Sequence, residues 1–299
     1  MQKVLVMRIV SFFIFFLLLL LGCNEASEEG RIISVTIEPQ RYFAEQIGGD
    51  KFTIHTVVAA GQSPETYDPS PRQMAKIGKS EAYLQIGHIG FEQAWMNNIR
   101  ENNKGLQVFD LSKGFKLIET EEECDHDHEG HEGHAHHHHG GVDPHIWSCI
   151  EGARHVAAKT MEAFCELDPE NRDFYFANFE KVMARIDSTD KAVLDLISPL
   201  SDRTFIIYHP ALTYFAKEFN LTQLCIEMDG KEPSPALLKQ LVRTAVENKA
   251  KVVFIQEEFD KKNAELIAKE TGCRLVTINP LSYNWNEEMI RIAKALANE

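Results

Sequence analysis

The sequence lacks the short motifs that mark the common hydrolases. Its 299 residues contain no HExxH zinc-binding motif and no GxSxG turn around a nucleophilic serine. Positive charge is also scarce, since 31 Lys and Arg stand against 45 Asp and Glu, for a formal net charge of −14 at pH 7. Proteins that bind nucleic acids usually have basic surfaces, so this excess of acidic residues argues against a nucleic-acid partner. We expect a protein that is not an enzyme and whose charge suits a cation.

Paired cysteines are missing as well. The sequence has no CxxC, and the cysteines that follow Cys23 are odd in number and widely spaced: Cys124, Cys149, Cys165, Cys225 and Cys273. Neither a disulfide framework nor a zinc knuckle has this pattern, so we expect buried thiols. With 44% apolar residues, the chain can bury the core of one large domain or two smaller ones.

The apolar run near the N-terminus, residues 12–21, is too short to span a bilayer, which needs about 20 apolar residues. Lys3 and Arg8 precede this run, and Gly22 follows it. A basic start, a short apolar stretch and a small residue before the cleavage point are typical of a secretory signal peptide. The sequence therefore predicts a signal peptide over residues 1–22.

The next residues predict a lipid anchor. Leu20-Leu21-Gly22-Cys23 resembles a bacterial lipobox, in which the cysteine becomes the lipidated first residue of the mature protein. A plain signal peptide or an N-terminal anchor is the alternative. Residues 23–30 are polar and have no hydrophobic period, which is typical of a tether. Removal of residues 1–22 takes away two positive charges, so the formal net charge changes from −14 to −16.

Short β-branched or aromatic segments alternate with helical patterns, which predicts an α/β fold of βα units around parallel sheets. The strand candidates are residues 32–37, 52–58, 82–86 and 107–111 in the first half, and 204–208, 223–227, 251–256 and 274–278 in the second. Helices are predicted to begin at Pro71 and Pro235, each after a serine N-cap. In the second helix, six apolar residues are predicted to share one face: Leu237, Leu238, Leu241, Val242, Ala245 and Val246.

A long helix is predicted between the two halves. From Glu170 to Ser198 the apolar residues fall close to one stripe, and no glycine or proline occurs before Pro199. A single helix of about 28 residues would be ~42 Å long, enough to brace two lobes and limit hinge motion. Two shorter helices that meet near Ser188-Thr189 are the alternative.

A histidine-rich segment, residues 119–140, is predicted to be a loop because it has almost no apolar side chains and many like charges. It holds eight of the 13 histidines, interleaved with acids and glycines: His126, His128, His131, His134, His136, His137, His138 and His139. Imidazoles beside carboxylates favour zinc, copper or nickel, and flexibility favours several weak sites. Its internal, irregular sequence argues against an expression tag. Whether the segment captures, senses or stores metal stays open.

The residues after this segment carry a specific resemblance. Asp143-Pro144-His145-Ile146-Trp147, a DPHxW stretch after a His- and Asp-rich loop, resembles the substrate-binding lipoproteins of bacterial zinc and manganese ABC transporters, the metal-binding cluster A-I type. Three further segments agree with that family: residues 63–71 (SPETYDPSP), 205–209 (FIIYH) and 232–235 (EPSP). The resemblance covers residues from about 31 to 299 in consistent order.

The resemblance implies two lobes, each with a four-stranded, mainly parallel sheet flanked by helices. One long rigid helix joins the lobes, and the metal site lies in the cleft between them. In this sequence the N-terminal lobe is predicted over residues 31–169, the linking helix over residues 170–199 and the C-terminal lobe over residues 200–299.

The resemblance also implies four ligand positions, at Glu65, His145, His209 and Asn279. Two of them depart from the family, which usually has histidine at the first position and aspartate at the last. Glutamate is a competent zinc ligand. A neutral amide is a poor one, so Asn279 is predicted to bind weakly or through water, with a simple Asn-Pro turn as the alternative. His88, in the loop after residues 82–86, is a further but weaker candidate for the same cleft.

The implied function is capture of Zn(II) outside the cytoplasm, in the periplasm or on the cell surface. The implied partners are an ABC permease and its ATPase, with the chain acting as a monomer held to the membrane through Cys23. A manganese-binding homologue and a metal-binding adhesin or storage lipoprotein are alternatives. A zinc hydrolase with Glu257 or Glu258 as general base is the least favoured, since such an enzyme needs an open coordination position.

Overall fold

The computed structural model describes residues 31–120, 141–227 and 233–298. The predicted signal peptide, Cys23 with its tether, and the eight clustered histidines lie outside these ranges. Among the described residues, no helix combines the length and the apolar character needed to cross a bilayer.

Two four-stranded sheets form the framework, and every strand pairs in parallel with its neighbours. The first sheet has the order β2-β1-β3-β4 and consists of β1 (Ile32–Val35), β2 (Thr53–Thr56), β3 (Ala82–Gln85) and β4 (Gln107–Asp110). The second has the order β10-β9-β7-β8 and consists of β7 (Thr204–Ile207), β8 (Thr222–Cys225), β9 (Val252–Gln256) and β10 (Arg274–Ile278). All eight predicted strands are confirmed, and each of them lies in a parallel sheet. The strands β3 and β9 are buried along their whole length, as is typical of strands covered by helices on both faces.

A short antiparallel pair, β5 (Glu119–Thr120) with β6 (Gly141–Val142), was not predicted. It joins the described residues on the two sides of residues 121–140, so Glu119 and Thr120, which were predicted to begin the loop, form a strand instead. The Asp143 amide then donates to the Ile118 carbonyl at 2.9 Å. The segment is therefore inserted where the chain leads directly into the DPHxW motif.

Helices cover both sheets. They are α1 (Glu38–Gly48), α2 (Pro71–Ile77), α3 (Gly90–Asn102), α4 (Ile150–Leu167), α5 (Arg172–Ile197), α6 (Thr213–Glu218), α7 (Pro235–Glu247), α8 (Lys262–Thr271) and α9 (Trp285–Ala297). Ser70 and Ser234 cap α2 and α7 through their hydroxyls, as the sequence predicts. The apolar face predicted for α7 is only partly covered. Leu237 and Val246 are 43% and 56% exposed, because they lie at the edges of the face that packs on the sheet.

The long helix is one element, which settles the alternative of two shorter helices. α5 has 26 residues and follows a single 3-10 turn, Pro169–Asn171. At the position considered for a break, the Thr189 hydroxyl donates to the Arg185 carbonyl within the helix at 3.0 Å. α5 packs against α1 and α4 beside the first sheet and against α9 beside the second. It therefore bridges the two lobes along its length.

The two lobes share one apolar core. The same cluster of buried side chains includes Ile33 and Val35 from the first sheet and Phe205 and Phe254 from the second. A smaller cluster lies on the other face of the second sheet, under α7 and α8. The described residues from 31 onward also group as one compact unit. Because a shared core resists separation, this arrangement favours small changes of cleft width over a wide hinge opening.

Two tryptophans fasten the lobes next to the cleft. The Trp147 indole donates to the Pro280 carbonyl at 3.1 Å, and the Trp285 indole donates to the Trp147 carbonyl at 2.6 Å. Both rings are almost fully buried, so each combines a large apolar contact with a satisfied N–H group. The tryptophan of the DPHxW motif thus holds its loop against the C-terminal lobe.

Candidate metal centre

Three of the predicted ligands meet in the cleft, although they are far apart in sequence. Glu65 follows β2, His145 follows β6 and His209 follows β7. One ligand atom from each lies within 4.8 Å of the other two. Glu65 and His209 each follow a strand of a parallel sheet, and ligand sites in such folds lie outside the carboxyl ends of these strands. His145 is brought to the same point by the loop that follows the antiparallel pair β5-β6.

The two imidazoles face each other. The Nε2 atoms of His145 and His209 are 3.3 Å apart. Two nitrogens bound at about 2.05 Å to one tetrahedral zinc ion are separated by roughly 3.3 Å, so the spacing fits a shared ion. Each ring is held through its other nitrogen, with His145 Nδ1 at 2.8 Å from Asp143 and His209 Nδ1 at 3.3 Å from Glu227. Such outer carboxylates fix the ring orientation and leave Nε2 as the ligand atom.

Asp143 fixes His145 within its loop. Its Oδ1 accepts from the His145 amide at 2.9 Å as well as from the ring, and its own carbonyl accepts from the Tyr214 hydroxyl at 2.8 Å. Burial disfavours a charged His145, but the negative charges of Asp143 and Glu65 outweigh burial and raise the pKa of His145 above its ordinary value. Burial likewise acts against a charged Asp143, and the His145 interactions outweigh it, so the pKa of Asp143 is lowered.

The loop of His209 is held by the neighbouring strand. The buried Gln256 side chain, at the end of β9, donates to the His209 carbonyl at 2.7 Å and accepts from the His209 amide at 3.4 Å. The Phe259 ring stacks on the imidazole, with 5.4 Å between ring centroids and 25° between planes. The end of β9 therefore positions the backbone of His209, and the segment that follows β9 positions its ring.

Glu65 lines the cavity, and its two carboxylate oxygens differ in their partners. Its Oε2 accepts from the Gly90 amide at 3.0 Å, whereas its Oε1 is buried and has no hydrogen-bond partner. A buried carboxylate oxygen without a partner is costly, and a bound cation would satisfy it. The approach also requires glycine at position 90, since a Cβ there would lie 2.3 Å from the Glu65 carbonyl oxygen.

The cavity admits one small ion. It is lined by Ser63, Pro64, Glu65, His145, Trp147, His209, Ala211, Glu258, Phe259, Pro280 and Leu281. The cavity volume is about 10 Å³, which is enough for about one water molecule. A space of this size fits a single ion, and the imidazole and carboxylate donors match a divalent transition metal.

The other two predicted ligands lie elsewhere in the described structure. Asn279 lines a neighbouring cavity, where its Oδ1 accepts from the Leu281 amide at 3.0 Å and its Nδ2 donates to Glu257 at 3.2 Å. His88 is half-buried in the loop between β3 and α3 and is not part of the group formed by Glu65, His145 and His209. Direct binding by either residue stays a prediction.

Glu258 lines the cavity, although it was considered only as a general base of an alternative enzyme. Burial raises its pKa, and the positive charges available to His209 and His145 act in the opposite direction. The signal for its position was its place directly after β9. This sequence position does not by itself place Glu258 at the cavity, because the pairing of β9 with β7 must also be known.

The architecture and the cavity together define a class: a two-lobed solute-binding protein whose site accommodates a single metal ion. The chain belongs to the family described as ZnuA, zinc-uptake complex component A, periplasmic, whose model matches residues 33–298. This membership confirms the resemblance that the DPHxW stretch and its companion segments predict. It also agrees with the absence of hydrolase motifs, since a transporter's solute-binding protein is not an enzyme.

Individual relatives agree with this assignment. The high-affinity zinc uptake system protein ZnuA of Bacillus subtilis is 30% identical over 283 residues, which cover 91% of this chain and 87% of that protein. The zinc-binding lipoprotein AdcA of Streptococcus pneumoniae is 26% identical over 88% of this chain, and the match spans only 53% of AdcA.

Solved structures agree as well. A crystal structure of ZnuA, 35% identical, gives a TM-score of 0.81 over 90% of this chain and 99% of that one. A ZnuA deletion mutant with zinc bound, 34% identical, gives 0.80 over 90% of this chain and 98% of that one.

Proposed function

We propose that this chain binds Zn(II) outside the cytoplasm and delivers it to the membrane permease of an ABC importer. The observation that carries the proposal is the pair of His145 and His209 Nε2 atoms, 3.3 Å apart and facing a cavity of ionic size. Glu65, whose Oε1 has no other partner, supplies a negative ligand. The zinc-binding relatives support the choice of metal.

The ligand types favour zinc over manganese. Imidazole is a borderline-soft donor that suits zinc, whereas manganese is better suited by carboxylates, carbonyls and water. The two Nε2 atoms also have the separation of a tetrahedral site, the geometry that zinc adopts in closed protein sites. We assign direct binding to Glu65, His145 and His209, and outer support to Asp143 and Glu227.

Capture in this chain needs only a small rearrangement. The two lobes share one core and are held together by Trp147 and Trp285. The ligands of the two lobes are therefore close to one another before the ion arrives. Preorganised ligands lose little conformational entropy on binding, which favours high affinity. We propose that the closed, loaded form is the one that docks on the permease.

The N-terminal segment attaches this function to a membrane. We propose that residues 1–22 are a signal peptide, that Cys23 is lipidated and that residues 23–30 tether the folded part, residues 31–299. The relative named as a zinc-binding lipoprotein supports an anchored form. We further propose that the chain acts as a monomer and that the clustered histidines of residues 119–140 bind additional zinc weakly.

A competition titration tests the site. Zinc is titrated into the soluble chain, residues 24–299, against a chromophoric chelator. His145→Ala and His209→Ala are each expected to weaken the tightest site by more than ~100-fold, beyond the ~10–100-fold typical of losing an outer partner. His55→Ala, which removes a half-buried histidine of β2 outside the cavity, is the matched control and should leave that site unchanged. Equal affinities in all four proteins would contradict the proposal.

A separate measurement tests the anchor. Cells that express the full chain are grown with a labelled fatty acid, and the label on the protein is compared with that on Cys23→Ala. Label on the first protein only is expected. Label on both, or on neither with the protein still in the membrane fraction, would contradict lipidation at Cys23.

A further inference from the structure

A second carboxylate lies at the cavity on the loop that follows β9. In the second sheet β9 is the neighbour of β7, and the strand order reverses between them. Ligands of open α/β sheets bind outside the carboxyl ends of strands at this kind of reversal. His209 follows β7 and Glu258 follows β9, so the topology brings these two side chains to the same point.

The loop of Glu258 is tied to His209 on both sides. Gln256, two residues earlier, exchanges hydrogen bonds with the His209 backbone, and Phe259, one residue later, stacks on the His209 ring. Glu258 itself is half-buried and lines the cavity. Its carboxylate is close enough to interact electrostatically with the imidazoles of both His145 and His209.

The ligand count leaves a position for this carboxylate. Zinc held in a closed protein site is almost always four-coordinate, and a site with three protein ligands keeps an open position, as in enzymes. Of the described side chains that line the cavity, four carry an imidazole or a carboxylate: Glu65, His145, His209 and Glu258. The Asn279 amide, in contrast, is directed to Leu281 and Glu257.

We infer that Glu258 is the fourth ligand and turns onto the metal when the ion is captured. This inference rests on the proposed function of zinc capture at Glu65, His145 and His209. Glu258 is not part of the group whose ligand atoms lie within 4.8 Å of one another, so its side chain must rotate toward the ion. Such a rotation closes the site without separating lobes that share a core.

A second carboxylate also sets the preference for metals. With Glu258 the ion has two nitrogen and two oxygen ligands, and the two glutamates balance its double positive charge. Manganese prefers oxygen ligands, whereas zinc is also bound well by imidazole. The carboxylate of Glu258 should therefore account for a larger share of the manganese affinity than of the zinc affinity. Loss of this carboxylate is therefore expected to weaken manganese binding by a larger factor than zinc binding.

Two adjacent acids provide a matched test. Glu258→Gln and Glu257→Gln remove one carboxylate each from consecutive positions, and Glu257 is exposed and does not line the cavity. Zinc and manganese affinities are measured by calorimetry in the full soluble chain, residues 24–299. Glu258→Gln is expected to weaken zinc binding by at least ~10-fold, because loss of a residue that only supports a ligand already weakens metal affinity by about 10–100-fold. Glu257→Gln is expected to keep the wild-type affinity.

A third variant separates binding from positioning. Glu258→His replaces the carboxylate with another zinc ligand and is expected to recover most of the zinc affinity that Glu258→Gln loses. X-ray absorption of the proteins loaded with one zinc ion should show two imidazole ligands in the wild type and three in Glu258→His. Equal zinc affinity of Glu258→Gln and Glu257→Gln, or no recovery in a folded Glu258→His, would overturn the inference. If His145→Ala still abolishes tight binding in that case, the proposed function survives.

Discussion

His145 and Asp143 form a buried pair in which one carboxylate oxygen accepts from both the ring and the backbone of the histidine, at 2.8 and 2.9 Å. Both side chains are nearly inaccessible to water, with Asp143 4% and His145 6% exposed. The pair therefore fixes the ring before any metal arrives, and it shows how the DPHxW motif prepares a ligand. The aspartate orients the histidine, and the tryptophan holds their loop to the other lobe.

The first prediction concerns Asp143 and Glu227, the carboxylates that contact the Nδ1 atoms of the two ligand histidines. Asp143→Asn should weaken zinc binding by about 10–100-fold, because the ring of His145 loses its charged anchor. Glu227→Gln should cost less, since its contact with His209 Nδ1 is longer, at 3.3 Å against 2.8 Å. Calorimetry measures both. Asp187→Asn, which alters an exposed ion pair with Arg154, is the control. Equal affinities of Asp143→Asn and this control would contradict the assigned role.

The second prediction concerns the close packing of Gly90 on Glu65. A methyl group at position 90 would lie 2.3 Å from the Glu65 carbonyl oxygen, so the Glu65 loop must shift. Gly90→Ala should lower the free energy of unfolding by about 1–3 kcal/mol, as overpacking does, and also weaken zinc binding.

Gly105→Ala is the matched control for this change, since a Cβ at position 105 meets nothing within 4 Å. Its free energy of unfolding should stay equal or rise by up to about 1 kcal/mol, because alanine restricts the unfolded chain. Urea unfolding of the metal-free proteins and zinc calorimetry measure the two effects. A Gly90→Ala protein that matches Gly105→Ala in both would show that Glu65 does not depend on this contact.

The third prediction concerns pH. Glu92, which is 2% exposed, accepts from the amides of Ile86 and Gly87 and from the Thr36 hydroxyl, and so braces the loop that leads to Gly90. Burial raises the pKa of Glu92 from 4.5 to about 7. Between these values the native chain keeps a proton that the unfolded chain has lost. Stability contributed by this group therefore falls as pH rises through this window, by up to about 3 kcal/mol, and is constant above it.

Glu92→Gln cannot ionise, so its stability should not show this part of the pH dependence. The measurement is the free energy of unfolding of the metal-free protein between pH 4.5 and pH 8, taken as the difference between wild type and variant. Glu101→Gln, an exposed position on the same helix α3, is the control and should track the wild type. A Glu92→Gln difference that does not change with pH would contradict the raised pKa.

Much of the fold could be predicted because its signals are local. The buried β-branched runs that became β7 and β9, the serine caps of α2 and α7, and the uninterrupted stripe of α5 each follow from residues within a few positions of one another. The exposure of Leu237 and Val246 was missed, because periodicity places residues on a helix face without showing how wide a face its neighbours cover.

The candidate site divides in the same way. Glu65, His145 and His209 were predicted as ligands from motif resemblance, and the structure brings them together. The position of Glu258 on the cavity depends on the pairing of β9 with β7, a long-range contact that no local pattern reveals. The hydrogen bonds that direct Asn279 toward Glu257 and Leu281 are tertiary contacts of the same kind.

The central claim is that tight zinc binding belongs to the cleft and not to the clustered histidines. The most direct test is zinc calorimetry on the soluble chain with residues 124–140 deleted, with and without His209→Ala. The account predicts one tightly bound zinc ion per chain in the deletion protein and loss of that binding when His209 is replaced. Loss of tight binding on deletion, with tight binding retained by His209→Ala in the undeleted chain, would contradict it.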